Sequence, residues 1–298
     1  MYQLSSSAIL KAPLPQRSPD QGMVQVAELN ASHEKEVRDF LARRPMHTVA
    51  MVGLINDNGL VSSFNRGTFY GCRNVQGQLE GVALIGHATL METTSDRALE
   101  ALARIAQTCT TGHLIMGEKE RIDEFWNYYA EAGQDMRLAC RELLFELRWP
   151  VEARAEVPNL RVATAADLEL IIPVQAQMAF DESGVNPLER DTEGFRRRCA
   201  RRIEQGRTWV LIEAGKLIFK AEIVSDTSAV IYLEGIWTTE EQRSQGFGLR
   251  CMSQLTRLLL RRTQSVCVLV NEKNTQAQHF YQRAGYKCRA VYDTIFLM

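Results

Sequence analysis

The sequence has no long apolar run and no excess of charge. No segment approaches the ~20 consecutive apolar residues that a membrane-spanning helix needs. The 35 Lys and Arg residues against 36 Asp and Glu residues give a net charge of −1. The first residues do not show the basic and then apolar pattern of a secretion signal. We therefore expect a soluble, cytoplasmic chain with neither nucleic acid nor a membrane as its main partner.

Cysteine is present but shows no pairing pattern. The 7 cysteines are an odd number, stand singly and include no Cys-x-x-Cys pair, so neither a disulfide framework nor a zinc cluster is indicated. We expect most of them to be buried as small apolar side chains. The histidines are scattered as well, and His279 on a predicted helix is expected to pack or to face solvent. The sequence predicts no metal site.

The length and composition are those of a globular protein. With 298 residues, 45% of them hydrophobic, the chain is long enough for one large or two ordinary domains. Residues 1–21 carry prolines among polar residues and are expected to form a tail. A charged stretch bracketed by prolines at 150–158 is the best linker candidate. These boundaries divide the chain into halves at 22–149 and 159–298.

The two halves share an order of predicted elements. Hydrophobic periodicities predict the order β-α-α-β-β-β-α-β-α-β for the second half, and the end of that order, from the first of the three consecutive strands onwards, recurs at 67–147. A short Tyr-x-x-Ala-Gly spacing is also shared, at 129–133 and at 281–285. The pattern favours an internal duplication. It predicts an α/β fold in which each half is a mixed, mostly antiparallel sheet flanked by helices.

A glycine-rich loop precedes a predicted helix in the second half. Residues 242–248 read Gln-Arg-Ser-Gln-Gly-Phe-Gly, between a strand ending at Thr238 and a helix starting near Gly248. Glycines let the backbone approach a ligand closely, and the N–H groups at a helix N-terminus favour phosphate. The signatures of a P-loop and of a dinucleotide site are both absent. This glycine loop predicts an anion site of another kind, or else a simple glycine-rich turn.

The glycine loop resembles the acetyl-CoA loop of the GCN5-related N-acetyltransferase (GNAT) family, R/Q-x-x-G-x-G/A, with matches at Arg243, Gly246 and Gly248. A second motif of that family, N-x-x-A-x-x-x-Y followed by G-F or G-Y, is matched at Asn274, Ala277, Tyr281, Gly285 and Tyr286. The resemblance covers about 159–298. The first half has Thr-Thr-Ser-Asp at 93–96 where the loop would be. It is similar to a degenerate GNAT copy, or to the extra N-terminal domain of some bacterial acetyltransferases.

The resemblance implies that the second half binds acetyl-CoA, without a metal. It assigns the pyrophosphate to the backbone of the glycine loop, at Arg243, Ser244, Gln245, Gly246, Phe247 and Gly248. It assigns the pantetheine arm to the end of the preceding strand, at Ile236, Trp237 and Thr238, and further cofactor contacts to Asn274, Ala277 and Tyr281. In this fold two neighbouring strands also separate, which opens a slot for the thioester.

Direct transfer to an amine requires a base for the ammonium and a proton for the departing thiolate. We expect Glu234 to be that base, directly or through water, since strict alternation puts it on one face of its strand with Tyr232, Ile236 and Thr238. A structural ion pair is the alternative role for this carboxylate. The resemblance gives Tyr281 the role of general acid or of hydrogen-bond donor to the thiolate. Its alternative is a tyrosine that packs on the sheet.

Two other groups of charged residues are candidates near the acceptor. Glu222 is a reserve base, although Lys220 on the same strand face favours an ion pair. Asp181 and Glu182, in a predicted loop, are carboxylates that could bind the positive charge of an acceptor. Helical spacing predicts a positive face for five arginines, either solvated or facing an anionic acceptor or the CoA 3′-phosphate; they are Arg196, Arg197, Arg198, Arg201 and Arg202.

These features predict a GNAT-type acyltransferase that moves an acetyl group from acetyl-CoA to an amine of an unidentified acceptor. The alternatives are a non-catalytic acetyl-CoA-binding sensor or scaffold, and an acyltransferase with another acyl-CoA donor. The first half would supply structure and part of the acceptor pocket. The chain would be a monomer with pseudo-dimeric halves, or a homodimer.

Overall fold

The computed structural model describes residues 24–298, so the predicted tail at 1–21 lies outside the described residues. Apart from short 3-10 turns, the elements follow the order β-α-α-β-β-β-α-β-α-β twice. The first copy comprises β1 Gln25–Glu28, α1 Glu34–Leu41, α2 Val49–Asn58, β2 Gly67–Arg73, β3 Leu79–Gly86, β4 Ala88–Thr93, α3 Asp96–Ala106, β5 Leu114–Glu118, α4 Lys119–Tyr129 and β6 Met136–Leu147. The second comprises β7 Arg161–Val162, α5 Leu168–Ser183, α6 Pro187–Glu204, β8 Thr208–Glu213, β9 Lys216–Asp226, β10 Val230–Thr238, α7 Phe247–Leu259, β11 Ser265–Asn271, α8 Thr275–Arg283 and β12 Lys287–Leu297.

The described strands form one continuous sheet, in the order β1-β2-β3-β4-β5-β12-β6-β11-β10-β9-β8-β7. The last strand of each half lies in the sheet of the other half, because β6 pairs with β11 and β12 pairs with β5. These two strands also pair with each other in the centre, antiparallel. The predicted fold class, with two similar and mostly antiparallel halves, is confirmed. The exchange of the final strands makes the two sheets one.

The first three elements of the first half were not predicted from the sequence. Strand β1 pairs with β2 at the sheet edge, and α1 buries an apolar stripe of Val37, Phe40 and Leu41. That stripe has the spacing of an amphipathic helix, so the signal was present. With these elements included, the repeat of the first half is complete.

Helix α2 of the first half packs on the sheet of the second half, against β9 and β10. The approach is close at Gly53, where an added Cβ would lie 2.5 Å from Cβ and Oγ of Ser225. An ion pair between Asp57 and Arg207, both largely buried, joins the same two regions. Val49 packs beside Tyr232. The first half therefore covers part of the sheet that carries the glycine loop.

Helix α7 starts at Phe247, one residue before its predicted start near Gly248. Thr164 forms a capping box with Asp167 and caps a 3-10 turn that leads into α5. The predicted loop that holds Asp181 and Glu182 is instead the last turn of α5, which ends at Ser183 with Gly184 as its C-cap. No described helix is both long and apolar enough to cross a membrane.

Candidate active site

A slot opens where β10 and β11 stop pairing. The two strands are parallel from Val230 opposite Ser265 to Leu233 opposite Val268. Beyond that point β10 continues along β9 to its end, whereas β11 continues along β6. The strands therefore separate directly after Leu233, at the position of Glu234.

A β-bulge follows Glu234. Glu234 pairs with Glu222 and Trp237 pairs with Lys220, so β10 carries one residue more than β9 over this stretch. The bulge contains Gly235, whose φ of +60° is a conformation that favours glycine. Side chains therefore do not alternate strictly after Glu234, and the prediction that Ile236 shares the face of Glu234 is wrong. Ile236 packs with the cluster under α7 and α8, whereas Trp237 packs with the cluster under α5 and α6.

Thr238 is also on the other face, contrary to the prediction, because the bulge shifts the alternation by one residue. Its Oγ1 would lie 3.1 Å from a Cβ added to Gly248 in α7, and the Phe280 ring of α8 would lie 3.2 Å from the same atom. A Cβ at 248 would require one of these neighbours to shift by a few tenths of an ångström, so the glycine helps the start of α7 to pack closely on the end of β10. Glu234 and Tyr232 remain on the opposite face.

The reserve base, Glu222, is held in a buried ion network. Its carboxylate contacts Lys220 Nζ at 3.1 Å and also binds Arg202. Burial alone would raise the pKa of Glu222, but the two cations outweigh it and lower that pKa. Lys220 is fully buried and also donates to the carbonyl oxygen of Gly235. Glu222 therefore holds Lys220 at the bulge, and its lowered pKa makes it a poor proton acceptor.

The glycine loop presents a row of unpaired backbone donors. Ser244 and Gly246 have φ of 62° and 74°, and Gly246 is the N-cap of α7. In the described chain, no hydrogen bond is donated by the N–H groups of 244–249. Nothing lies within 4 Å of a Cβ added to Gly246. Together with the dipole of α7, these free N–H groups form a site suited to a phosphate group.

The side chains of the glycine loop fold back onto its own backbone. Arg243 Nε donates to the carbonyl oxygen of Thr238 at 3.0 Å, and Gln245 Nε2 donates to that of Glu241 at 2.6 Å. Phe247 is buried, with the Arg250 guanidinium above its ring. In this arrangement Arg243 fixes the shape of the loop, and the backbone carries the anion-binding donors.

The second motif places its residues at and in α8. Asn274 caps that helix by accepting a hydrogen bond from the N–H of Ala277 at 3.0 Å. Ala277 and Tyr281 pack in the core cluster that contains Leu233 and Val268, where the slot begins. Burial raises the pKa of Tyr281, so its phenol keeps its proton. Tyr281 and Glu234 thus flank the slot from opposite faces of the sheet.

Two further carboxylates share the face of Glu234. Glu142 lies on β6, opposite Asn271, and accepts a hydrogen bond from Thr294 at 2.7 Å. Glu182 lies in the last turn of α5 and is exposed. Desolvation by neighbouring protein, and then the charges of Glu234 and Glu142, raise the pKa of Glu182. Burial and Glu234 raise the pKa of Glu142 as well, against the hydrogen bond from Thr294.

The sequence did not identify Glu142, because it belongs to the first half and reaches the site only through the strand exchange. Asp181, the neighbour of Glu182, accepts a hydrogen bond from Gln177 on the exposed side of α5. Of the two acidic residues predicted for the acceptor, the structure brings only Glu182 to the slot.

The five arginines of α6 do not form one positive face. Arg196 pairs with Glu169, Arg198 with Asp191, and Arg202 with the buried Glu222. Arg201 donates to Asn58 of α2 and lies over the ring of Phe64. Helical spacing alone predicted a concentrated charge, but neighbouring elements supply partners in different directions.

Known structures share this architecture. A GNAT-family acetyltransferase from Colwellia psychrerythraea matches at a TM-score of 0.59 and 11% identity, over 93% of this chain and 100% of that one. A tandem GNAT protein from the clavulanic acid biosynthesis pathway matches at 0.54 and 12%, over 92% and 98%. A Drosophila protein matches at 0.67 and 12%, over 92% and 98%. The fold is that of the GCN5-related N-acetyltransferases, in two copies.

Sequence comparison adds a narrower finding. The family model described as FR47-like protein matches residues 217–295, a stretch that contains the glycine loop and α8. No curated protein matches the chain. The sequence identities to the solved structures are low, so these structures show the GNAT fold and do not indicate a particular reaction.

The first GNAT copy lacks the glycine loop. Its helix α3 starts with Ser95 as N-cap, whose side chain accepts from the N–H of Ala98, and with Asp96 in the first turn. Both features occupy the position where an anion would bind. Glu92, at the end of β4, is buried and paired with Arg44 beside a cavity of about 40 Å³. This copy has the strands of the fold without a free anion site.

No group of three or more His, Cys, Asp or Glu side chains within 24–298 is arranged to hold a metal ion. The cysteines of that region are all free thiols. Cys72, Cys199, Cys251 and Cys267 are buried, in keeping with the prediction that most act as small apolar side chains. His279 is exposed.

Proposed function

We propose that the chain is an acetyl-CoA-dependent N-acetyltransferase with one catalytic centre, in its second half. One arrangement carries this proposal: β10 separates from β11 after Leu233, and its end leads into the glycine loop with its unpaired N–H groups. A carboxylate, Glu234, stands on one face of that slot and a protonated tyrosine, Tyr281, on the other. Anion binding, thioester access and two proton-transfer groups are therefore available in one place.

The residues present fit the donor. The N–H groups at 244–249 would hold the pyrophosphate, and the edge of β10 after the bulge, at Ile236, Trp237 and Thr238, would accompany the pantetheine arm. Asn274 caps α8 through its carbonyl oxygen, which leaves its amide N–H₂ for a cofactor oxygen. The bound thioester would supply an activated acetyl group.

The protein's own groups then move protons. Glu234 takes a proton from the acceptor ammonium, directly or through water, and the neutral amine attacks the thioester carbonyl. As the C–N bond forms, the nitrogen loses its second proton to solvent, the C–S bond breaks and the sulfur leaves as a thiolate. Tyr281 donates its proton to that thiolate and regains one from solvent, and Glu234 releases its proton to solvent. The raised pKa of Tyr281 keeps the phenol protonated until the sulfur carries charge.

We propose that the first half is a structural copy and that the chain divides near 150–158 into units at 22–149 and 159–298. The exchange of β6 and β12 supports a chain that already has the pseudo-dimeric form within one molecule. The Ser95 cap and the Asp96 carboxylate at the start of α3 support a single cofactor site per chain, in the second half.

Calorimetric titration of the purified protein with acetyl-CoA and with free CoA tests the proposal. We expect saturable binding at one site per chain, and thiol release when an amine is added. Two binding sites per chain would show that the first half also binds the cofactor. Binding that survives Glu234→Gln and Tyr281→Phe, with no thiol released from any amine by the unaltered protein, would instead favour a sensor or scaffold.

A further inference from the structure

Tyr232 lies two residues before Glu234, the proposed base, on the same face of β10. Alternation holds from 232 to 234, because the extra residue opposite this stretch belongs to β9 and the bulge of β10 begins only after Glu234. The Leu233 side chain between them packs on the other face, in the cluster under α7 and α8. Tyr232 is buried, whereas Glu234 is exposed, and the Tyr232 hydroxyl is hydrogen-bonded to the Glu234 carboxylate. An accessible carboxylate is therefore held by a donor that is fixed in the core.

Tyr232 acts on Glu234 as a hydrogen-bond donor. Burial, and then the charge of Glu234, raise the pKa of Tyr232 well above its usual value, so the phenol keeps its proton. Arg202 adds a nearby positive charge. Both Arg202 and Lys220, however, form their ion pairs with Glu222. The hydroxyl of Tyr232 is therefore what sets the direction of the Glu234 carboxylate.

Helix α2 of the first half covers the face of the sheet that carries Tyr232. Ser225 on β9 lies directly opposite Tyr232, and the side chains of opposite residues share one face. A Cβ added to Gly53 of α2 would lie 2.5 Å from Cβ and Oγ of Ser225. Val49, the first residue of α2, belongs to the same buried cluster as Tyr232. The packing around the tyrosine therefore includes a helix of the other half.

Contacts at both of its ends hold α2 in this position. Before the helix, Thr48 is fully buried, and its hydroxyl donates a hydrogen bond to the carbonyl oxygen of Leu41 at 2.8 Å. Near the end of the helix, Asp57 forms its ion pair with Arg207 of the second half. Helix α2 cannot withdraw from β10 without breaking these contacts. The first half is thus built as a support for the strand that carries the proposed base.

We propose that Tyr232 is a positioning residue for Glu234, and that Val49 of α2 keeps Tyr232 in place. This inference rests on the proposed acetyltransferase function and gives the first half a part in that reaction. The Tyr232 hydroxyl transfers no proton itself. It holds the carboxylate toward the slot, so that Glu234 meets the acceptor ammonium in one orientation. Without the support of α2, the ring of Tyr232 would be free to shift and its hydrogen bond would be lost.

Tyr232→Phe tests the hydrogen bond, because it removes the hydroxyl and keeps the ring. We expect kcat for thiol release to fall by about 10-fold, with KM for acetyl-CoA unchanged. The acidic limb of the plot of kcat/KM against pH should move to higher pH, since a hydrogen bond to a carboxylate favours its charged form. The other ionisable groups that act on Glu234 are the same in both proteins; they are Glu142, Glu182, Arg202 and Cys267.

Tyr292→Phe is the matched control for the hydroxyl. Tyr292 is buried in the same cluster, but its hydroxyl is hydrogen-bonded to His47 Nδ1 at 2.9 Å, so kcat and the acidic limb should stay unchanged. Val49→Ala tests α2, and it should lower kcat by about 3-fold or more and move the limb in the same direction as Tyr232→Phe. Val37→Ala changes a fully buried valine in a cluster of the first half alone, so it should lower only the midpoint of urea unfolding.

These variants separate the positioning role from the transferase itself. An unchanged kcat and acidic limb in Tyr232→Phe, in a protein that releases thiol, would overturn the positioning role and leave the transferase. Equal losses of kcat in Tyr232→Phe and Tyr292→Phe, or in Val49→Ala and Val37→Ala, would also overturn it, since they would show a general effect of lower stability. If the unaltered protein releases no thiol with any amine, the transferase is rejected and the positioning role with it.

Discussion

Lys220 Nζ donates a hydrogen bond to the carbonyl oxygen of Gly235 at 3.0 Å. Gly235 is the glycine of the bulge that follows Glu234, and Lys220 is fully buried with Glu222 as its ion-pair partner. A lysine in the sheet interior therefore holds the backbone that aims the proposed base. We regard Lys220 as a positioning residue.

Replacing Lys220 by Met should lower kcat without weakening the binding of acetyl-CoA. The bulge would lose its hydrogen bond, and a shift of Glu234 by about 1 Å can cost roughly 100-fold in rate. Glu222 would keep only Arg202, so the free energy of unfolding should fall by up to about 3–5 kcal/mol. Rates, calorimetric affinity and urea unfolding measure the three effects.

Lys216→Met is the matched control for Lys220→Met. Lys216 starts the same strand but is exposed. Its replacement should therefore change the free energy of unfolding by no more than about 0.5 kcal/mol and leave kcat unaltered. If Lys220→Met loses stability and keeps its kcat, Lys220 has only a structural role.

Gly246 and Gly215 allow a direct test of the glycine loop. Both have φ of +74° and nothing within 4 Å of an added Cβ, so an aspartate strains each backbone to a similar extent. We expect Gly246→Asp to weaken acetyl-CoA binding by roughly 100-fold, because its carboxylate would meet the pyrophosphate. Gly215→Asp, in the turn between β8 and β9, should bind normally. Calorimetric affinities that fall equally in the two variants would reject the anion site.

Tyr281→Phe should lower kcat by about 100-fold or more and leave the affinity for acetyl-CoA almost unchanged, since general acid catalysis contributes that much. Tyr286 is the control. It is buried beside Tyr281, and its hydroxyl has no partner in the described chain, so Tyr286→Phe should cost neither activity nor stability. Stopped-flow thiol release compares the two variants. A normal rate in Tyr281→Phe would exclude it as the acid.

The glycine loop and Tyr281 were proposed from motifs of short spacing, and Glu234 from its place in a strand; their functional roles stay predictions. The sequence did not predict the bulge, although a glycine inside a strand is a recognised sign of one. Gly235 is that glycine, and it moves Ile236 and Thr238 to the other face. The side chains after Glu234 could not be assigned by alternation alone.

The other parts of the site depend on contacts between distant segments. Glu142 comes from the first half, and Arg202 reaches Glu222 from α6. No spacing of residues in the sequence indicates either contact, because both follow from the order of strands and from how helices pack on them. The pairing of Lys220 with Glu222 was predicted, because two residues on one strand face are neighbours by geometry.

Gly53→Ala tests whether α2 of the first half is needed by the second. In most helices this change stabilises by about 1 kcal/mol, but here the new Cβ would lie 2.5 Å from Cβ and Oγ of Ser225. We expect a loss of about 1–3 kcal/mol from overpacking, measured by urea unfolding. Ser225→Gly removes both atoms, so the double variant should regain most of that loss. A double variant as unstable as Gly53→Ala would mean that α2 is not seated against β9.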